Sequence, residues 1–203
     1  MPRIFLLLLS FLLPSLLSWA ARAANEPADV VNTLHAALLD NMQHGDTLGC
    51  SGRVQRLEPV IAAAFDLPFI AQHILKRRWE SMTQAQREQF IGTLKDLTVV
   101  TYATNFSHNS GLQFSTKESR ALSKNRYQVR AMLTPAKDDK VALDYFLQQS
   151  DHWRVINVIA DGVSDLALRS TQYDKVYAQS GFEGLMAKLQ EQIKSNRATC
   201  NAG

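Results

Sequence analysis

The sequence lacks the motifs that mark the common catalytic and nucleotide-binding sites. It has no Gly-x-Ser-x-Gly elbow, no phosphate-binding glycine loop, no Gly-x-Gly-x-x-Gly and no His-Glu-x-x-His. The five histidines are far apart, with no spacing typical of metal ligands, and lie at His35, His44, His73, His108 and His152. We therefore expect no metal, no cofactor and no catalytic residue.

An excess of one charge is also missing. The 203 residues include 22 basic and 19 acidic side chains, and 46% of all residues are hydrophobic. Two of the basic residues, Arg3 and Arg22, lie in a segment that we expect to be removed, which leaves 20 basic against 19 acidic residues. A nucleic-acid partner needs clustered basic residues, so none is expected, and the composition is typical of a globular domain.

Long hydrophobic runs are limited to one, at the beginning of the sequence. Met1-Pro2-Arg3 precedes an almost wholly apolar stretch over residues 4–19, and Ala21-Arg22-Ala23 places small residues at the positions that a signal peptidase recognises. We predict a cleaved signal peptide over residues 1–23. Because no composition break or linker follows it, residues 24–203 are interpreted as one exported domain. A lipid anchor is not expected, because there is no cysteine at the cleavage point.

Cysteine is scarce, with only Cys50 and Cys200. In an oxidising compartment such a pair favours a disulfide, which would close a loop of about 150 residues. Two unpaired thiols remain an alternative. A catalytic thiol is the least supported reading, because there is no Cys-x-x-Cys pair and no evident base.

The first half of the sequence has helical periodicity. Apolar residues recur every three or four positions from Val30 to Met42 and again from Val54 to Phe65, with residues 45–52 interpreted as a loop between them. Asp66-Leu67-Pro68, an N-cap with proline in the first turn, predicts the start of a third helix that continues to about residue 78. Thr83 with Gln86 forms a capping box for a long fourth helix.

The second half alternates with the period of strands. Residues 127–133, 141–147 and 153–159 each alternate apolar with polar side chains, and short turns separate them. Leu112 to Ser115 is a candidate for another strand, and helical patterns return after Asp165 and again after Gly181. This order predicts an α+β fold in which helices pack on one curved antiparallel sheet. The aromatic residues on these elements either fill a core or line an apolar cavity, and periodicity alone does not separate the two.

Several segments resemble a known family. They are Phe65-Asp66-Leu67-Pro68, Trp79, the run 86–90, Thr101-Tyr102-Ala103, the strand 153–158 and the helix 169–173. In order and spacing they resemble the MlaC family of periplasmic lipid-binding proteins, over nearly the whole domain. Residues 34–38, 64–69 and 166–169 are most similar to its hopanoid-associated HpnM branch. The sequence departs from the family where Lys76 replaces a glycine that would end the helix, and the cysteine pair is not part of the family pattern.

The resemblance implies a lipid carrier in the periplasm. Such a protein holds the apolar part of a phospholipid or hopanoid in a cavity between helices and sheet. It moves the lipid between an inner-membrane transporter and an outer-membrane component, and we expect it to do so as a monomer. Inward positions of the long helix and the sheet are the predicted lipid contacts, with narrowing at Leu97 expected to displace lipid. They are Phe69, Trp79, Phe90, Leu94, Leu97, Val129, Leu143, Tyr145, Trp153 and Val155.

Two other functions remain open from the sequence. An adaptor could organise an envelope transport complex without holding a ligand. An enzyme acting on an apolar substrate would need a base such as Asp144, but Leu143 and Tyr145 flank that residue and place it on the opposite, solvent side of the strand.

Overall fold

The computed structural model describes residues 26–137 and 139–202, and the predicted signal peptide lies outside them. Helices come first, strands follow, and a long helix returns at the end. The helices are α1 (Pro27–Gln43), α2 (Gly45–Ala64), α3 (Leu67–Leu75), α4 (Arg77–Glu80), α5 (Gln84–Asn105) and α6 (Asp165–Ala202). The strands are β1 (Gln113–Ser123), β2 (Arg126–Thr134), β3 (Val141–Gln149), β4 (Trp153–Ala160) and β5 (Val163–Ser164).

The strands form one antiparallel sheet in sequence order, β1-β2-β3-β4-β5. Alternation gives it two chemically different faces: Val129 pairs with Tyr145 and Ala131 with Leu143, all buried towards the helices. On the other face, Arg130 donates to Asp144 at 2.7 Å, and Gln128 donates to the same carboxylate at 2.9 Å. The predicted α+β fold with an antiparallel sheet is confirmed.

Local capping signals explain two of the helix starts. The Asp66 carboxylate accepts from the Phe69 N–H at 3.0 Å, with Pro68 in the first turn. The Thr83 hydroxyl accepts from the Gln86 N–H, and the Gln86 side chain accepts from the Thr83 N–H, which completes the predicted capping box.

Residues 45–52 are helical, so their interpretation as a loop is wrong. The segment starts α2 and is interrupted only by Gly49, whose φ of 59° kinks the helix. Glycine is also required at Gly45, because a Cβ there would lie 1.7 Å from the Ser107 carbonyl oxygen. Glycine-rich sequence indicated a loop, but close packing against a distant segment holds these residues in a helix.

The third predicted helix is divided at Lys76. This residue takes a φ of 50° and separates α3 from α4, so the helix ends before residue 78. The backbone therefore has a positive φ at the position where the family resemblance implied glycine, although the residue here is lysine. Gly181, with a φ of 66°, interrupts α6 in the same way between its two predicted halves.

The core lies between the helices and the inner face of the sheet. Cys50 and Cys200 form a disulfide that joins α2 to the end of α6, as favoured from the sequence. Arg53, only 2% exposed, lies beside it and donates to the carbonyl oxygens of Gly45 and Cys200. Within the described residues, no helix combines the length and apolar character needed to cross a bilayer.

Candidate functional site

A cavity of about 320 Å³ lies between the helices and the inner face of the sheet. Leu94 on α5 and Ile70 on α3 form its helical side, and Leu143 on β3 and Val158 on β4 form its sheet side. Leu166 in the first turn of α6 also lines it. Its lining is mainly apolar because the inward residues of both layers are apolar, so the cavity is suited to a hydrocarbon ligand.

A row of aromatic rings, which we call the aromatic wall, follows one side of the cavity. It consists of Phe65, Tyr102, Phe106 and Phe114. Successive ring centroids are each 5.9 Å apart, from the end of α2 across α5 to β1. Phe65 is fixed to the sheet because it forms a bridge with Val155 and its neighbour Asp66 donates its N–H to the Val155 carbonyl at 2.9 Å.

One buried polar pair lies beside the aromatic wall. The His35 ring stacks on Phe114 with centroids 4.0 Å apart, and its Nε2 lies 2.9 Å from the hydroxyl of Tyr145, which lines the cavity. Burial lowers the pKa of His35 to about 4, so the imidazole is neutral at neutral pH. Burial raises the pKa of Tyr145 well above its ordinary value. Both groups are therefore uncharged, as an apolar cavity requires.

The charged residues of the cavity lining, Asp165 and Arg169, lie together at what we call the rim. Asp165 is exposed, and Arg169 donates from Nε to both of its carboxylate oxygens at 2.9 Å. Burial, and next the negative charge of Asp165, raise the pKa of Tyr102, which keeps its hydroxyl protonated. The site thus has a mainly apolar lining and one charged rim.

The structure brings together three of the ten predicted lipid contacts, Leu94, Leu143 and Tyr145, in this cavity. Trp153 lines a different cavity of about 420 Å³, between α1, α2 and the start of β4. Leu97 lines a groove between α5 and α6.

The other five predicted contacts line neither cavity. Phe90, Val129 and Val155 are fully buried in the core. Phe69 is partly exposed, stacked on His73 with the Arg126 guanidinium over its ring. Trp79 is also partly exposed, and the guanidinium of Arg87 lies 5.3 Å from its ring centroid. Contact of these residues with lipid stays a prediction.

Sequence reasoning missed several lining residues, for an identifiable cause. The register between β3 and β4 shifts after Phe146, so that Leu147 pairs with Val155 and Phe146 with Asn157, leaving Ile156 as an extra residue. After this bulge the cavity is lined by Ile156, Asn157 and Val158. Strict alternation from Trp153 places Ile156 and Val158 on the outer face, and no local residue marks the bulge. Phe106, Phe114 and Arg169 were also missed.

The candidate metal ligands and the candidate base do not meet in this cavity. Among the described residues, no cluster of three or more His, Cys, Asp or Glu side chains could hold a metal ion. Asp144, the base considered from the sequence, lies on the outer face of the sheet with Arg130 and Gln128. Asn157, which does line the cavity, accepts from the Ser164 hydroxyl and the Leu166 N–H, and so positions the start of α6.

Comparisons with known proteins identify a family and a similar solved structure. The model of the family described as MlaC protein matches residues 32–191. A phospholipid-binding protein from Ralstonia solanacearum, solved in complex with a phospholipid, superposes with a TM-score of 0.71. The match covers 83% of this chain and 95% of that chain at 22% sequence identity, which establishes a shared fold. No curated protein sequence matches the chain.

Proposed function

This chain belongs to the MlaC family, and we propose that it is a periplasmic carrier that binds the apolar part of a membrane lipid in the cavity between its helices and sheet. The observation that carries the proposal is the cavity itself, with an apolar lining from both layers and its charged groups confined to one rim. The phospholipid bound to the structurally similar Ralstonia protein supports it.

The energetic task of such a carrier follows from the hydrophobic effect. Each acyl methylene exposed to water costs about 0.8 kcal/mol, so two chains of about fifteen carbons would cost about 24 kcal/mol. Many weak apolar contacts can replace most of this and still release the lipid at a membrane. The lining suits that task, because Leu94, Leu143 and Val158 offer surface without a strong directional bond.

The size of the cavity suggests that its walls separate on loading. A volume of about 320 Å³ is at the low end of the roughly 300–1,000 Å³ found for ligand cavities. A lipid with two acyl chains needs more room. Phe106 and Phe114, which are partly exposed members of the aromatic wall, are where we expect the cavity to widen.

The wider role is also part of the proposal. We infer export to the periplasm, transport between an inner-membrane transporter and an outer-membrane component, and action as a monomer. The cargo is a phospholipid or a hopanoid. A hopanoid is expected if the chain belongs to the HpnM branch, which the short motifs around Leu34, Phe65 and Leu166 resemble.

Mass spectrometry of the protein purified from the periplasm tests the proposal, first in the native state and then after organic extraction. We expect one lipid per chain in the wild type and a clear loss of lipid in Leu133→Trp. Leu133 lines the cavity and is only partly buried, so the indole should occupy the cavity without overpacking the core.

The matched control is Leu122→Trp, on β1, where the leucine is 45% exposed and does not line the cavity. Thermal unfolding of both variants checks that each is folded. An empty wild-type protein that also takes no lipid from vesicles would contradict the carrier function and favour an adaptor. Equal lipid in both variants would place the binding site elsewhere.

A further inference from the structure

We propose that Arg169 binds the phosphate of the lipid headgroup at the rim of the cavity, with the Tyr102 hydroxyl as a second donor. The inference rests on the proposed function and makes it more specific. The ligand class that it assigns to the rim is an anionic amphiphile with a phosphodiester beside its acyl chains. The apolar lining alone gives no reason for charged residues at the rim.

The first argument is the unused hydrogen-bonding capacity of Arg169. A guanidinium has five N–H donors, and here the one on Nε is used towards the two oxygens of Asp165 at 2.9 Å. The Tyr173 hydroxyl is another protein partner of the guanidinium: burial raises the pKa of Tyr173, and Arg169 lies close enough to lower it. One such contact still leaves terminal N–H donors of Arg169 for a ligand. The side chain lines the cavity and is 18% exposed. A largely buried cation with free N–H donors is suited to a phosphate.

The second argument is the position of Tyr102. Tyr102 lines the same cavity, and its hydroxyl has no hydrogen-bond partner among the described residues. Burial raises the pKa of Tyr102, with Asp165 raising it further and Arg169 lowering it, so the charges of the ion pair reach the phenol. The hydroxyl thus stays protonated and can donate. Two unsatisfied donors adjoin one apolar cavity.

The third argument concerns Asp165, whose negative charge opposes an anion. The Asp165 side chain is 52% exposed against 18% for Arg169, so solvent screens the carboxylate more than the guanidinium. Asp165 also holds only the Nε edge, which fixes the orientation of the guanidinium and leaves terminal N–H donors free. The net effect favours a singly charged phosphodiester. An uncharged sterol-like lipid would form no bond between opposite charges at this rim.

The experiment compares two lipids that differ only in the phosphate-containing headgroup. Delipidated protein is incubated with vesicles of phosphatidylcholine that contain equal amounts of phosphatidylglycerol and diacylglycerol with the same acyl chains. The protein is then re-isolated, and native mass spectrometry gives the ratio of the two lipids bound. We expect the wild type to favour phosphatidylglycerol over diacylglycerol by about tenfold, as one charge-assisted hydrogen bond predicts.

The variants separate the roles of charge and geometry. Arg169→Gln should bring the ratio close to one with diacylglycerol still bound, Arg169→Lys should keep part of the preference, and Tyr102→Phe should lower it a few-fold. Arg130→Gln is the matched control, because Arg130 also donates from Nε to an aspartate but lies on the outer face of the sheet. It should keep the wild-type ratio, and thermal unfolding should find all four variants folded.

The outcomes distinguish the two proposals. A wild-type protein that loads both lipids equally, or an Arg169→Gln variant that keeps the wild-type ratio, overturns the role of Arg169 and leaves the carrier function intact. A wild-type protein that takes up no lipid overturns both. Free phosphate is the other source of the same chemistry. Saturable binding of inorganic phosphate by Leu133→Trp, lost when Arg169→Gln is added, would assign the rim to free phosphate and overturn its assignment to a headgroup.

Discussion

The Nε2 atom of His35 lies 2.9 Å from the hydroxyl oxygen of Tyr145, although 110 residues separate them in the sequence. The hydrogen bond joins α1 to the cavity-lining strand β3, and the same imidazole stacks on Phe114 of the aromatic wall. His35 is 4% exposed and Tyr145 is 3% exposed, so neither has water as an easy alternative partner. The pair therefore fixes the position of α1 against the sheet side of the cavity.

The burial of His35 should make stability depend on pH. Its folded-state pKa of about 4 is below the unfolded value of 6.5, so the unfolded chain binds more protons between these values. The contribution to stability is fully present above pH 6.5 and is lost as the pH falls towards 4. Between pH 7 and pH 5 we expect a loss of about 2 kcal/mol in the free energy of unfolding.

Urea unfolding of the wild type and His35→Gln at both pH values measures this effect. The variant keeps a polar partner for Tyr145 and has no titrating ring, so its stability should change less over the same interval. A pH dependence of equal size in both proteins would show that other groups are responsible.

Lys76 should be a site where glycine stabilises the fold. Its φ of 50° and ψ of −123° form a conformation that suits glycine, and its side chain is exposed. Lys76→Gly should raise the free energy of unfolding by about 1 kcal/mol, even though glycine gives the unfolded chain more conformational entropy. The melting temperature should rise by about 2 to 4 °C.

Asp161 is the matched comparison, because its φ is 47° but its carboxylate accepts from the Ala142 N–H at 2.8 Å. Asp161→Gly relieves a similar strain at positive φ but also removes that hydrogen bond, so no net gain in stability is expected. Thermal melts of both variants decide the matter. A drop in melting temperature for Lys76→Gly would contradict the strain at this position.

The disulfide should contribute strongly to stability. Cys50 and Cys200 are 150 residues apart, and chain-entropy arithmetic gives about 5 kcal/mol for a loop of that length. The double variant Cys50→Ala with Cys200→Ala should lose about 3 to 5 kcal/mol in urea unfolding. The wild type under reducing conditions should behave similarly, whereas added reductant should leave the variant unchanged. A loss of less than about 1 kcal/mol in the free energy of unfolding would show that packing and the hydrogen bonds of Arg53 keep α6 in place without the disulfide.

Lipid affinity should distinguish cavity residues from the other predicted contacts. Leu143→Ala removes apolar surface from the cavity lining, and we expect a loss of about 2 kcal/mol, or about thirtyfold in affinity. Trp79→Ala removes a larger side chain that packs under Arg87 outside the cavity, so affinity should stay unchanged if lipid contacts are confined to the cavity. Uptake of lipid from vesicles measures both, corrected for the folded fraction. Equal losses would mean that lipid contacts extend past the cavity, as the sequence interpretation requires.

The sequence by itself determined the features that depend on near neighbours. The caps at Asp66 and Thr83 involve a hydrogen bond to a residue three positions along the chain, so both partners appear in one short window. Alternation along β3 correctly placed Asp144 on the face opposite Leu143 and Tyr145, because successive side chains in a strand point to opposite sides.

Tertiary structure decided which apolar residues surround the cavity. Phe90, Leu94 and Leu97 lie on one stripe of α5, yet the first is in the core, the second lines the cavity and the third lines the groove against α6. Helix periodicity predicts that a residue is buried. It cannot report what it is buried against, because that depends on how α2, α6 and the sheet pack around the helix.

The same distinction explains the remaining differences between sequence and structure. The helical start of α2, the bulge at Ile156 and the contact between His35 and Tyr145 each depend on residues far away in the chain. Local propensities carry no information about such partners. Burial and hydrogen bonding outweigh those propensities once the chain is folded, and they formed the cavity and its charged rim from positions that no short window of sequence connects.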